Sequence, residues 1–196
     1  MTHATPEVLL ESSIRYALGV VLAITPELLS SPTPCREWDL HMLLRHASES
    51  LTAIGEGIEG GHVGLDPATE CGDLVADPVR AFRNRASALL DVWTSPGHQR
   101  QVIEIAGCPL TASVMASVAA LEITVHGWDI SQACGQRQPI PRLLAINLLA
   151  IAPVLVPGTG RQPLFAAPVT VPPSADPSDR LAAFLGRTPL VRARHA

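Results

Sequence analysis

Glu122 and His126 stand four residues apart in a segment whose apolar residues recur at helical spacing. Side chains at i and i+4 of a helix lie on one face, a turn apart, so both can reach a single point. His46 lies mid-way along another helical segment, with Met42, Leu43 and Ala53 nearby in register. A histidine from one helix and an ExxxH pair from a facing helix make a metal site of the kind helix bundles build between their helices. Two imidazoles and one carboxylate supply three protein ligands. That leaves a position for water or substrate, the catalytic rather than the structural pattern. Zinc suits this set best; Ni, Co, Fe or Mn are the alternatives. The spacing alone leaves a plainer arrangement open, with Glu122 a solvated helix residue and His126 a core histidine bonded to a carbonyl.

Around this trio, Asp129 follows His126 by three residues. It is a candidate either to orient an imidazole or to pair with Arg45. With no lysine in the chain, Arg45 is the nearest candidate to hold an anionic substrate; its other reading is a plain surface charge. Trp38 precedes the His46 segment and is expected to pack against the core rather than touch a ligand. Glu49 and Ser50, one turn beyond His46, are candidate cavity residues. Cys35, Cys71, Cys108 and Cys134 are scattered without a CxxC pair, which argues against a zinc knuckle or a redox dithiol. They read as small hydrophobes in a reducing cytoplasm. His3, His41, His62, His98 and His195 fall near termini, helix starts or loops and are expected at the surface.

The elements that must position these residues are separated by Pro and Gly breaks. A first helix is expected from Pro6 to about Leu29, with Pro26 as a kink or an early end. A second starts after Trp38 with Asp39 as N-cap and stops in Gly55–Gly61. His62–Ala76 reads as loop. Asp77-Pro78 caps and starts a third helix to about Trp93, ended by Ser95-Pro96-Gly97. Gln101–Ala106 partly alternates and reads as a short strand, after which Gly107-Cys108-Pro109 turns the chain. Thr111 caps a fourth helix to about Cys134, closed by Gly135. Pro141 opens a fifth to about Leu155. A proline-rich irregular tail runs to Pro177, and a last helix, Ser178–Leu185, ends at Gly186. The pattern fits an all-α four-helix bundle with additions.

Composition narrows the function classes. The chain has 196 residues, enough for one ordinary domain; 47% are hydrophobic and 16% charged, which excludes general disorder. Aromatic residues are only 4%, so the core must come from Leu, Val, Ile and Ala, which suits helices. All 14 basic residues are Arg, which excludes Schiff-base chemistry and a Walker-type phosphate lysine. The net charge of −4 comes with no basic run, so neither nucleic acid nor an anionic membrane is an expected partner. The N-terminus lacks the basic start of a signal peptide, and the apolar run from Leu143 to Val156 is too short to span a bilayer. A cytoplasmic monomer or homodimer is expected.

Three segments carry a resemblance. Thr33-Pro34-Cys35-Arg36-Glu37-Trp38-Asp39, followed by Leu43-Leu44-Arg45-His46, resembles the N-terminal signature of the mycothiol-dependent maleylpyruvate isomerase family, part of the DinB-like metal-binding superfamily. Glu122-Ile123-Thr124-Val125-His126-Gly127-Trp128-Asp129 resembles its second signature. The ending from Asp179-Arg180-Leu181 through Gly186-Arg187-Thr188-Pro189 resembles the tail of a compact, actinobacterial branch. The resemblance implies a single DinB-like metal-binding helical domain over residues 1–196, with a short strand segment and a proline-rich tail. It also implies that His46, Glu122 and His126 bind the metal and that mycothiol is the cosubstrate. Full isomerases carry an additional C-terminal domain that helps bind substrate and thiol. The chain is expected to lack it, and none of that domain's residues is carried over.

The expected activity is a metal-dependent transferase or isomerase joining a low-molecular-weight thiol to a small electrophile, with the metal holding the thiol as thiolate. The alternatives are a non-catalytic metal- or ligand-binding module and a metal-dependent hydrolase. A deep pocket reaching an under-coordinated metal would favour an enzyme; a closed site with four protein ligands would favour a structural role.

Overall fold

The computed structural model describes residues 4–35, 37–63, 77–95, 97, 101–105, 107–156, 158–161 and 165–189. Among these are six helices: α1 Pro6–Val21, α2 Leu40–Gly60, α3 Pro78–Thr94, α4 Ala112–Ala133, α5 Arg142–Leu155 and α6 Pro177–Phe184. Three short strands join them: β1 His62–Val63, β2 Val102–Ile105 and β3 Cys108–Thr111. Local chemistry sets most helix starts. Asp39 accepts from the Met42 amide, Asp77 from Arg80 and Thr111 from Val114, each satisfying an amide that has no partner within its helix.

α1 packs against α4, α4 against α2, α2 against α3, and α3 against α1, which closes a four-helix bundle. α5 and α6 pack on each other and lie beside it. The interior is aliphatic, with Leu10 and Ile14 of α1 and Leu43, Leu44 and Leu51 of α2 fully buried against Phe82 and Trp93 of α3. α4 is the central helix: fifteen of its 22 residues are buried, so it has no polar face. Small residues let it sit there. A Cβ on Gly127 would stand 3.1 Å from the Tyr16 ring, so glycine permits the close approach of α4 to α1.

Several expectations are corrected. The first helix ends at Val21 rather than near Leu29; Pro26 holds Thr25 extended and opens a separate 3-10 turn, Pro26–Ser30. The expected strand at Gln101–Ala106 forms as β2. It pairs antiparallel with β3 and parallel with β1, so His62–Val63 is strand and not loop. Gly107 makes the turn, but Cys108 and Pro109 already belong to β3. Residues 64–76, which complete the expected loop, lie outside the described residues, as do Pro96 and Ala106. Among the described residues no helix is long and apolar enough to cross a membrane.

Candidate metal centre

The pairing of α2 with α4 brings His46, Glu122 and His126 together. Glu122 Oε1 lies 3.3 Å from His46 Nε2 and 3.5 Å from His126 Nε2. One donor atom from each of the three falls within 4.8 Å of the others. The imidazole rings meet edge to face, their centroids 5.1 Å apart. Tetrahedral coordination with bonds near 2.0–2.1 Å separates its donors by about 3.4 Å. The spacings around Glu122 Oε1 therefore suit a small divalent ion, and two nitrogens with one oxygen are a donor set such ions accept.

Two of the three face outward. The side chains of His46 and Glu122 are 37% and 32% exposed, whereas His126 is buried. Trp38 covers one side of His46, with ring centroids 4.8 Å apart. Trp38 is held by a tight turn in which its amide donates to the Cys35 carbonyl and Thr33 Oγ1 donates to the Trp38 carbonyl. Glu37 adopts a φ of 72°, a strained conformation for a residue other than glycine, which the turn requires. On the bundle side, the space enclosed by Ala47, Ser50, Phe82 and Ile130 beside Glu122 and His126 is about 10 Å³, room for one water.

Behind His126 lies a second polar group. Asp129, fully buried, places Oδ2 at 3.4 Å from His126 Nδ1, an ion-pair distance without a formed hydrogen bond. Arg187 grips the same carboxylate as a fork, with Nη2 at 2.7 Å from Oδ2 and Nε at 3.2 Å from Oδ1. Cys35 Sγ donates to Oδ2 at 3.2 Å and lies 3.5 Å from Arg187 Nη2. Cys35, His126 and Asp129 also have the spacing of a metal site. There, however, the guanidinium already occupies the position of a cation against the carboxylate.

These contacts set the charges. Burial opposes ionisation of Glu122, but hydrogen bonds and charge from His126 and His46 prevail and hold its carboxyl below the usual range. Asp129 is likewise held low: burial is outweighed by His126 and Arg187. For His126, burial disfavours the cation, yet Asp129, Cys35 and Glu122 raise its pKa well above that of a free histidine. Tyr16 is raised by burial and by the Asp129 charge.

Of the other residues singled out by sequence, Arg45 does not reach Asp129 as its partner. Its Nε lies 3.6 Å from Glu49 Oε1, one turn along α2. The partner of Asp129 is Arg187, which sequence reasoning missed as a site residue although it stands in the quoted Gly186-Arg187-Thr188-Pro189 ending. Cys35 is not a plain small hydrophobe but part of this network. Ser50 lines the enclosed space, as expected for a cavity residue. His62 is exposed and His41 half-buried; His3, His98, His195 and Cys71 lie outside the described residues.

Residues 10–131 match the model of the mycothiol maleylpyruvate isomerase N-terminal domain. The chain belongs to that family. Family membership implies a mycothiol-related, metal-binding function on a DinB-like helical fold. The matched span contains Cys35, His46, Glu122, His126 and Asp129, while Arg187 lies beyond it. The chain is also similar to uncharacterized proteins of two Mycobacterium tuberculosis strains, CDC 1551 / Oshkosh and ATCC 25618 / H37Rv. Each is 29% identical over 175 residues, covering 88% of this chain and 92% of the relative. No solved structure matches the chain significantly.

Proposed function

We propose that the protein is a metal-dependent thiol transferase or thiol-assisted isomerase acting on a small electrophile. Mycothiol is the thiol, and His46, Glu122 and His126 are the ligands of a divalent ion, zinc before Ni, Co, Fe or Mn. The observation that carries this reading is the spacing of 3.3 and 3.5 Å from one Glu122 oxygen to two imidazole nitrogens. A divalent ion held there supplies positive charge that favours the thiolate form of a thiol at neutral pH.

The chain's own residues do the rest. His46 and Glu122 are partly exposed, so a cosubstrate reaches the site from solvent. Trp38 covers one flank of His46 and limits water there. Arg45, 42% exposed on α2 beside His46, is the candidate to meet an anionic electrophile. Asp129 steadies His126 from behind. Three donors, two of them partly exposed, favour a catalytic over a purely structural site.

The test incubates metal-loaded protein with mycothiol and a panel of electrophiles that includes maleylpyruvate, with His126→Ala as control. Metal-dependent conjugation or isomerisation, lost in the control, is the expected result. No turnover across the panel would favour the binding-module reading. Turnover that survives removal of the metal would refute the mechanism.

A further inference from the structure

The described helices end at α6, and the next residues turn back into the bundle. The Gly186 amide donates to Ala183 and the Arg187 amide to Ala182, so the end of α6 closes on itself. Gly186 has a φ of 83°, and a Cβ there would lie 2.8 Å from the Ala166 carbonyl oxygen, so only glycine fits this turn. The turn sends the Arg187 side chain inward, where it is 11% exposed and its Nη1 donates to the Leu185 carbonyl. Its remaining donors reach Asp129 and Cys35.

Oδ2 of Asp129 is therefore the meeting point of three groups from separate parts of the chain: the guanidinium after α6, the thiol before α2 and the imidazole of α4. A carboxylate gripped by a two-point fork cannot rotate freely. Its Oδ2 stands 3.4 Å from His126 Nδ1, so the fork also sets where the negative charge facing that ring lies.

We propose that Arg187 is a positioning residue for the metal centre: by fixing the Asp129 carboxylate it holds the His126 imidazole with Nε2 directed at Glu122 and His46. The inference rests on the reading of His46, Glu122 and His126 as metal ligands. It assigns the segment after α6 a part in metal affinity although that segment contributes no ligand. It also makes the second three-donor group a support for the first and not a second ion site.

The test titrates ion-free wild type, Arg187→Ala, Arg187→Lys and His126→Ala with cobalt(II). It reads the visible absorption bands of the ion, its affinity by competition with a chelating dye, and the thermal unfolding of each ion-free protein. Wild type is expected to bind one ion, and His126→Ala none. Arg187→Ala should bind about 10- to 100-fold more weakly, as loss of an outer partner of a metal-bound histidine does, with altered bands. Arg187→Lys keeps the charge but loses the fork and should fall between. If Arg187→Ala does not fold, Arg187→Lys decides on the same two readouts. Wild-type bands and affinity in the Arg187 variants, even with a lower melting temperature, would leave Arg187 a merely structural residue and overturn the inference while the ligand reading stands. No His126-dependent cobalt spectrum in wild type would overturn both.

Discussion

The two ring nitrogens of His126 face regions built from similar groups with opposite outcomes. On the Nδ1 side, Asp129 is fully buried and a guanidinium from the chain itself meets it at 2.7 Å. On the Nε2 side, Glu122 is one-third exposed and meets two imidazoles at 3.3 and 3.5 Å. A buried carboxylate must be neutralised within the fold, because removing it from water costs several kcal/mol when it is unpaired. Glu122, partly exposed, meets a weaker form of the same demand with two imidazoles, which are themselves metal donors. The inner region thus carries structural charge pairing, and the outer region is the one proposed to take an exogenous cation.

The contrast makes measurable claims. The largest effect is expected on metal content. His46→Ala or His126→Ala should abolish stoichiometric binding, and Glu122→Ala should weaken it beyond the about 100-fold that an outer partner can cause. Full metal content in all three variants would break the outer half of the comparison.

Next comes stability of the ion-free protein. Asp129→Ala leaves Arg187 buried without its carboxylate and should cost about 3–5 kcal/mol in denaturant unfolding. Glu122→Ala removes a partly exposed carboxylate, and His126 keeps its contact with Asp129, so the cost should be smaller. Equal costs would erase the distinction between the two sides.

Gly127→Ala tests the packing beneath both. Its methyl group would meet the Tyr16 ring at 3.1 Å, and unless that ring gives way the overpacking should cost about 1–3 kcal/mol. A melting temperature equal to that of wild type would show that the contact yields easily.

The pH dependence sharpens the comparison further. The contacts of His126 raise its pKa in the ion-free protein, so a metal must displace a proton held more tightly than on a free histidine. Affinity should rise about tenfold per pH unit up to that raised value, and calorimetry in buffers of different ionisation enthalpy should detect about one proton released. Below the ordinary carboxylate range, near pH 4, stability should fall as pH drops toward the lowered values of Glu122 and Asp129, because both groups are ionised in the fold at pH values where the unfolded chain takes up protons. The same charge on His126 contributes stability that is present below the ordinary histidine value and lost as pH rises through the raised one. Acid unfolding that is unchanged by Asp129→Asn would remove Asp129 from this account.

Much of the architecture was legible locally. Asp39, Asp77 and Thr111 cap helices where their spacing to apolar runs predicts, because a side-chain oxygen satisfies an amide two or three residues on without help from the rest of the chain. The ExxxH spacing put Glu122 and His126 on one face for the same reason: helix geometry alone relates i to i+4. The short strands were harder to read. β1 has two residues and is strand only because β2, some forty positions later, lies beside it.

The sequence by itself determined the helical class, most helix starts and the two-residue half of the candidate site on α4, since each depends on contacts within a turn or two. Tertiary structure alone decided that His46 meets that pair across the bundle. It also decided that Arg187, 58 positions after Asp129, and not Arg45, neutralises the buried carboxylate. Pairing charges at that separation depends on where α6 docks, and docking is set by the burial of apolar surface, which is non-directional and leaves no periodic trace around the charged residue it brings in.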